Sequence, residues 1–115
     1  MLLKYIVIDD QTPVDDMVNY LYSDVGFKLP KPKVILSVTG GTKQFSIDEN
    51  TKTAIKLGLM KAAKTTNACI ISGGTNTGVM RLVGDAVAED LNEQDLTVLG
   101  IASWGCIAFN NDMIV

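Results

Sequence analysis

Twice in this chain a short apolar run ends in a glycine pair followed by threonine: Ser37-Val38-Thr39-Gly40-Gly41-Thr42 and Ile71-Ser72-Gly73-Gly74-Thr75. Each then opens onto a stretch of helical periodicity. A strand that ends this way and feeds a helix leaves unpaired backbone N–H groups at the helix start, where the helix dipole adds positive potential. The turn therefore suits an anionic group such as a phosphate. One such turn is ordinary chain-reversal chemistry. Two of them, at the carboxyl ends of buried-looking strands, point to a nucleotide-type pocket on an α/β sheet.

The pattern along the chain supports that reading. Residues 4–8 read as a short β segment, and Asp9-Asp10-Gln11-Thr12-Pro13 as a turn, with Thr12 and Pro13 starting a helix over 13–24 that stops near Gly26. Pro30 and Pro32 make residues 28–33 an extended connector. Residues 34–38 have the continuous apolar character of a strand covered on both faces. Ser46-Ile47-Asp48-Glu49 spells a capping box with Ser46 as N-cap, opening a helix to about residue 66. In that helix Ile55, Leu59, Ala62 and Ala63 are expected inward, Leu57 and Met60 flanking, and Gly58 where the helix approaches the sheet. Residues 68–72 form a second buried strand. Val79, Val83, Ala86 and Val87 mark a third helix with Thr77 as N-cap, and a polar break at 92–95 precedes a strand over 96–102. The order βα–βα–βα–β predicts a parallel, doubly wound sheet with its glycine-rich ends on one edge. Residues 1–115 read as one domain: 1–33 as leading strand, helix and connector, and 34–115 as the nucleotide-fold core. Asn110-Asn111-Asp112 resembles a turn, and the apolar run at 113–115 breaks off. The sheet is thus expected to be incomplete at its C-terminal side.

Composition narrows the function classes. A net charge of −3 with scattered basic residues argues against a nucleic-acid or anionic-membrane surface, both of which need clustered Lys and Arg. No apolar run approaches the roughly 18–20 residues of a membrane span, and Met1-Leu2-Leu3-Lys4 opens no signal-peptide pattern. There is no His and there are two Cys, Cys69 and Cys106, far apart. Zinc coordination and Ser-His or Cys-His catalysis lack their residues. Cys69 reads as a small core hydrophobe, and the cysteine usage fits a reducing cytosolic setting.

Gly73-Gly74-Thr75-Asn76-Thr77-Gly78 carries the strongest chemical signal. Its glycines permit positive φ and close backbone approach, and Thr75 and Thr77 place hydroxyls beside the amides. The plainer reading is a tight strand–helix turn capped by Thr77. Neither a Gly-Lys-Ser/Thr nor a G-x-G-x-x-G pattern is present. Thr39, Gly40 and Gly41 face the same cleft if the two strands are neighbours, with Lys43 and Gln44 within reach of a phosphate or ribose. Met80 covers a base or ribose, or fills the core. Trp104 stacks on a ligand or packs below the sheet. Asp85, Glu89 and Asp90 read as a solvated helix face, and no carboxylate pair at a strand end suggests acid–base catalysis.

Several longer motifs recur in order. They are Val34-Ile35-Leu36-Ser37-Val38-Thr39-Gly40-Gly41, Phe45, the helix from Gly58-Leu59-Met60-Lys61 to Asn67-Ala68, Gly73 to Met80, Val83-Gly84-Asp85-Ala86-Val87, and Gly100-Ile101-Ala102-Ser103-Trp104-Gly105. Over residues 5–110 the chain resembles the N-terminal cytoplasmic domain of the melastatin-type transient receptor potential (TRPM) cation channels. The resemblance implies a Rossmann-like SLOG fold, related to the lysine-decarboxylase-like (LOG) nucleotide-binding proteins. It also implies a regulatory segment that binds ADP-ribose or a related nucleotide as ligand, with no cofactor required. By position, Thr39 and Met80 match family ligand contacts. Gln44 falls where ADP-ribose-binding members have Asn, keeping the amide but one methylene further out. Further contacts, including arginines, would lie past Val115. The partners implied are the rest of a calcium-permeable channel and its neighbouring subunits in a homotetramer, on the cytoplasmic side of a membrane that this segment itself does not touch. The LOG phosphoribohydrolases are the alternative. Their later Pro-Gly-Gly-x-Gly-Thr signature and following Glu are absent here, so no enzyme activity is expected. A ligand-free interaction domain on the same fold is the third reading.

Overall fold

The computed structural model describes residues 4–41, 46–75, 77–90 and 96–106. The chain forms two compact units, residues 1–31 and 32–115. In the first, a turn is closed by side chains: the Gln11 N–H donates to Asp9 Oδ1 (2.9 Å), the Asp9 N–H to Thr12 Oγ1 (3.2 Å), and the Thr12 hydroxyl to Asp9 Oδ1 (3.2 Å). Thr12 is thereby committed to the turn, so Pro13 rather than Thr12 is the N-cap of helix α1, Val14–Tyr22. The helix stops short of Gly26, at the Ser23 C-cap. The chain then turns tightly enough that a Cβ on Gly26 would lie 1.9 Å from the Tyr20 carbonyl oxygen. Tyr20 and Phe27 meet edge to face across this turn, with ring centroids 5.6 Å apart. The strand expected at 4–8 is not formed, because the described residues of this unit contain no strand to share its ladder.

The second unit is α/β. Strands β1 (Ile35–Ser37), β2 (Cys69–Ser72) and β3 (Thr97–Gly100) form a parallel sheet in the order β1-β2-β3. Helices α2 (Glu49–Thr66) and α3 (Gly78–Glu89) make the crossovers. Because both crossovers advance in the same direction, crossovers of one hand place both helices on one face, and α2 and α3 pack against each other. The sheet is incomplete, and the reversal that would make it doubly wound is not among the described strands.

The core lies between the helices and the central strand. Ile70 is fully buried, surrounded by Met60, Ala63, Val83, Ala86 and Val87, with Leu36, Val38, Leu59 and Leu96 packed at the margin. Leu36 and Val98 are the register partners of Ile70, so all three point to the helical face. Ile35 points the other way and is 56% exposed. The run at 34–38 is therefore covered on one face, at the edge of the described sheet, and not on both.

Three details of α2 differ from the sequence expectation. First, the N-cap is Asp48, not Ser46. Its carboxylate accepts from the Thr51 N–H (3.4 Å) and, in a short contact, from the Thr51 hydroxyl. The Thr51 hydroxyl, chiefly, holds the Asp48 carboxyl below its ordinary value near 3.8. A charged acceptor at this point also interacts with the helix dipole, which a serine does not. Second, the helix is rotated. Met60 and Ala63 are buried, Leu59 is half-buried, and Ile55 is 45% exposed. Lys56 and Lys64 occupy the seam with α3, where Lys56 Nζ lies 2.9 Å from Glu89 Oε1 and Lys64 Nζ 2.6 Å from Asp90 Oδ1. Asp85 and Glu89 are exposed, as a solvated face requires, although Glu89 also reaches Lys56; Asp90, its side chain 12% exposed, is drawn into the seam instead. Third, Gly58 approaches nothing: a Cβ there would meet open space. The helix ends because Asn67 adopts the left-handed conformation (φ 51°), which lets the Ala68 N–H reach the Ala63 carbonyl.

Two outcomes follow from these placements. Gly58→Ala gains helix propensity without a clash and should raise stability by about 0.8–1.0 kcal/mol, read as a higher urea midpoint with unchanged slope. The hydrogen bond from Lys56 to Glu89 is the main cause holding the Lys56 ammonium above its ordinary 10.5. A raised amine pKa contributes stability that is complete below the unfolded value and lost as pH rises through the folded one. Glu89→Gln should therefore flatten the loss of stability above about pH 10.5, leaving a wild-type-minus-variant difference that shrinks with rising pH.

Candidate functional site

Parallel pairing brings the carboxyl ends of all three strands to one edge. The ladder runs a step past the assigned strands, with Val38 N–H donating to the Ile71 carbonyl (2.8 Å) and Ile101 N–H to that of Ser72 (2.9 Å). Residues 38–41, 73–75 and 101–103 therefore leave the sheet side by side. Because β1 and β2 are hydrogen-bonded neighbours, Thr39, Gly40 and Gly41 lie beside Gly73, Gly74 and Thr75. Thr42, Lys43, Gln44 and Asn76 fall outside the described residues.

The two glycine loops are joined at the first turn of α3. The Val79 N–H donates to the Gly41 carbonyl at 3.3 Å. A Cβ on Gly40 would lie 2.5 Å from Val79 Cγ2, and one on Gly73 would lie 3.1 Å from Met80 Cγ. Consecutive helix residues thus cover one glycine in each loop. Met80 itself is buried, its side chain laid over Gly73. Gly74 has φ +72° and Gly78 φ +53°, the left-handed region where glycine is favoured.

Sequence reasoning expects unpaired amides at these turns, and two of them are engaged within the protein. Val79 N–H is taken by Gly41, and Gly74 N–H donates to Ser72 Oγ at 3.2 Å. A buried hydroxyl or carbonyl left without a donor is costly, so the loops satisfy their own polar groups where they can. Thr77 stands at the N-cap of α3, but its side chain does not cap the helix. Its hydroxyl is 3.0 Å from that of Thr75. Thr39 and Thr77 are exposed and Thr75 is half-buried. The edge therefore offers exposed hydroxyls, a paired Thr75–Thr77 unit and the positive end of α3.

Beside it, a cleft between α2 and α3 starts at Gly78 and is lined by Lys52, Lys56 and Arg81 facing Glu49, Asp85 and Glu89. Charges of both signs balance there, and Lys52 lies 3.5 Å from Glu49, so the cleft adds no net attraction for an anion. Among the described residues no group of three or more His, Cys, Asp or Glu could hold a metal ion. Cys69 is a buried free thiol whose burial pushes its pKa up, as a core residue and not a nucleophile. Trp104 is half-buried in a short 3-10 turn, Trp104–Cys106, after β3.

Three residues stand in the motifs without showing their roles there: Ser72, Val79 and Gly100. Val79 has the periodicity of a core position, and only its contact with Gly40 reveals a second role. Gly100 packs its backbone on the second loop: a Cβ on Gly100 would lie 2.7 Å from Gly74 Cα. The glycine of the third strand is thus matched to the glycine of the loop beside it.

Known proteins resemble this chain in sequence over most of its length. The family described as SLOG in TRPM matches residues 3–115. The chain is 45% identical over 92 residues to transient receptor potential cation channel subfamily M member-like 2 of Nematostella vectensis, covering 76% of the chain and 6% of that protein. It is 38% identical over 109 residues to subfamily M member 2 of Mus musculus, covering 90% of the chain and 7% of that channel. With human subfamily M member 7 it shares 35% identity over 113 residues, which is 96% of the chain and 6% of the channel. The chain thus spans only about 6–7% of the length of these relatives.

The Gly74–Gly100 contact gives a direct test. Gly100→Ala forces the backbones of β3 and the second loop apart and should cost about 1–3 kcal/mol, measured as a lower denaturant midpoint.

Proposed function

The chain belongs to the SLOG domains of the TRPM cation channels, and from that premise we propose that it is a regulatory, nucleotide-binding N-terminal segment of such a channel. The ligand class is ADP-ribose or a related nucleotide. The observation that carries this reading is the joining of the two glycine loops on one sheet edge through Val79 and Gly41. A diphosphate needs hydroxyl and amide donors and positive potential on one side of a sheet, and this edge supplies the Thr39 hydroxyl, the Thr75–Thr77 pair and the α3 N-terminus. Residues 38–41, 73–78 and 101–106 contain no Asp or Glu, which supports a sensing role over glycosidic cleavage. In the full-length channel the segment sits on the cytoplasmic side, joined to a tetrameric, calcium-permeable pore. No described helix is long and apolar enough to cross a membrane.

A ligand-free interaction domain is the second reading. It is favoured by the Val79 and Gly74 amides, which are engaged by the protein's own acceptors.

Titration calorimetry of ADP-ribose into the full-length protein that carries this chain separates the two. The nucleotide reading expects saturable binding, weakened roughly 2- to 13-fold by Thr39→Val, the worth of one hydrogen bond of about 0.5–1.5 kcal/mol. Absence of binding by the folded protein leaves the interaction-domain reading standing.

A further inference from the structure

We infer that Val79 is a positioning residue for the nucleotide site, fixing the first glycine loop against α3 so that the two loops form one rigid wall. The inference rests on the reading given under Proposed function. Three observations carry it. The Val79 N–H binds the Gly41 carbonyl at 3.3 Å, which sets how far along the helix the first loop sits. Its Cγ2 fills the space over Gly40, 2.5 Å from where a Cβ would stand, so the loop approaches to backbone distance and no closer. The next residue, Met80, covers Gly73 of the second loop, so one helical turn holds both.

A β-branched residue suits this role. Its χ1 is stiff in a helix, so the methyl that meets Gly40 is held in place and does not swing aside. The Val79 N–H is one of the four at a helix start with no intrahelical partner, so it is available to the Gly41 carbonyl while the helix fixes its position. A ligand that contacts Thr39 together with residues 73–75 and 77–78 then meets a prearranged pair of loops and spends less of its binding energy on ordering them.

The pairing of Gly40 with Val79 can be tested by exchange of volume. Gly40 lacks a positive φ, so alanine is compatible with its backbone and the effect of Gly40→Ala is confined to the collision with Val79. Removing the two Val79 methyls takes away the atoms 2.5 and 3.7 Å from that Cβ, leaving only Val79 Cβ at 3.2 Å. Three variants are made in the full-length protein: Gly40→Ala, Val79→Ala and the double variant. Two quantities are read: ADP-ribose affinity by calorimetry, and hydrogen exchange of the peptide spanning residues 78–83 without ligand. Melting curves confirm that each variant is folded.

The expected result is affinity about tenfold or more weaker and faster exchange for Gly40→Ala, with both largely recovered in the double variant. Recovery of affinity among variants that are all folded is the readout a merely structural role would not move, and additivity of two independent changes would give no recovery. The inference is overturned if the wild type binds and Gly40→Ala binds equally well, or if the double variant is as weak as Gly40→Ala or weaker. A wild type that does not bind ADP-ribose overturns the nucleotide reading instead. In that case exchange alone decides whether Val79 holds the loop: recovered protection in the double variant upholds the interlock, and unrecovered protection overturns it.

Discussion

The burial of β2 between β1 and β3 beneath two helices is the constraint on which the second unit depends. Ile70 has no exposed surface, and its neighbours Ala63 and Ala86 are small enough to let α2 and α3 come together above it. Close packing of this kind fixes helix rotation and height, since interiors are filled to crystal-like density. Once β2 is held there, parallel pairing leaves no choice about where the three strand ends emerge. The glycine loops meet because β1 and β2 are neighbours, and the helix that follows β2 starts between them.

Charge finishes what the core begins. The seam between α2 and α3 is closed by Lys56 with Glu89 and Lys64 with Asp90, where the Asp90 side chain is only 12% exposed. The aliphatic stems of the lysines cover apolar surface while their ammonium groups reach across. With the seam closed this way, Met60, expected only to flank, is buried beside Ala63, while Ile55 and Ala62, expected inward, are exposed. The exposed Lys52–Glu49 pair is a different matter, being wet and within one helix, and pairs of that sort contribute little.

At the sheet edge the same logic of close approach governs the loops. Gly40, Gly73, Gly74 and Gly100 are each met by a neighbour closer than a Cβ would ordinarily tolerate, whereas Gly41 and Gly58 face open space. Only the glycines of the first group are required by packing. The loops also use their own amides, Val79 and Gly74, to tie themselves together, so the edge is a set of interlocked turns with exposed threonines in place of a bare phosphate cradle. The kinship with TRPM channels places this edge in a SLOG domain, a segment far smaller than the proteins it resembles.

What the sequence determined by itself was local or periodic. The glycine-terminated apolar runs dictate strand, turn and helix in that order, and the repetition of the unit dictates a parallel sheet. The burial of Cys69, Val83, Ala86 and Val87 and the pairing of the two loops on one edge were equally legible. What the tertiary structure alone decided were competitions between acceptable local choices. Asp48 and Ser46 are both good caps, and the carboxylate wins because Thr51 binds it twice. Thr12 and Thr77 both have the side chain of a cap, and the hydroxyl of each is engaged with a turn partner instead. Residues 4–8 have strand composition but no strand beside them. The motifs that contain Val79 and Gly100 do not show their roles, which lie in approaches so close that a Cβ on Gly40 or Gly100 would come within 3 Å of another segment. Sequence pattern encodes which face of an element is apolar; it does not encode which atoms of two distant segments meet, and the site is built from those meetings.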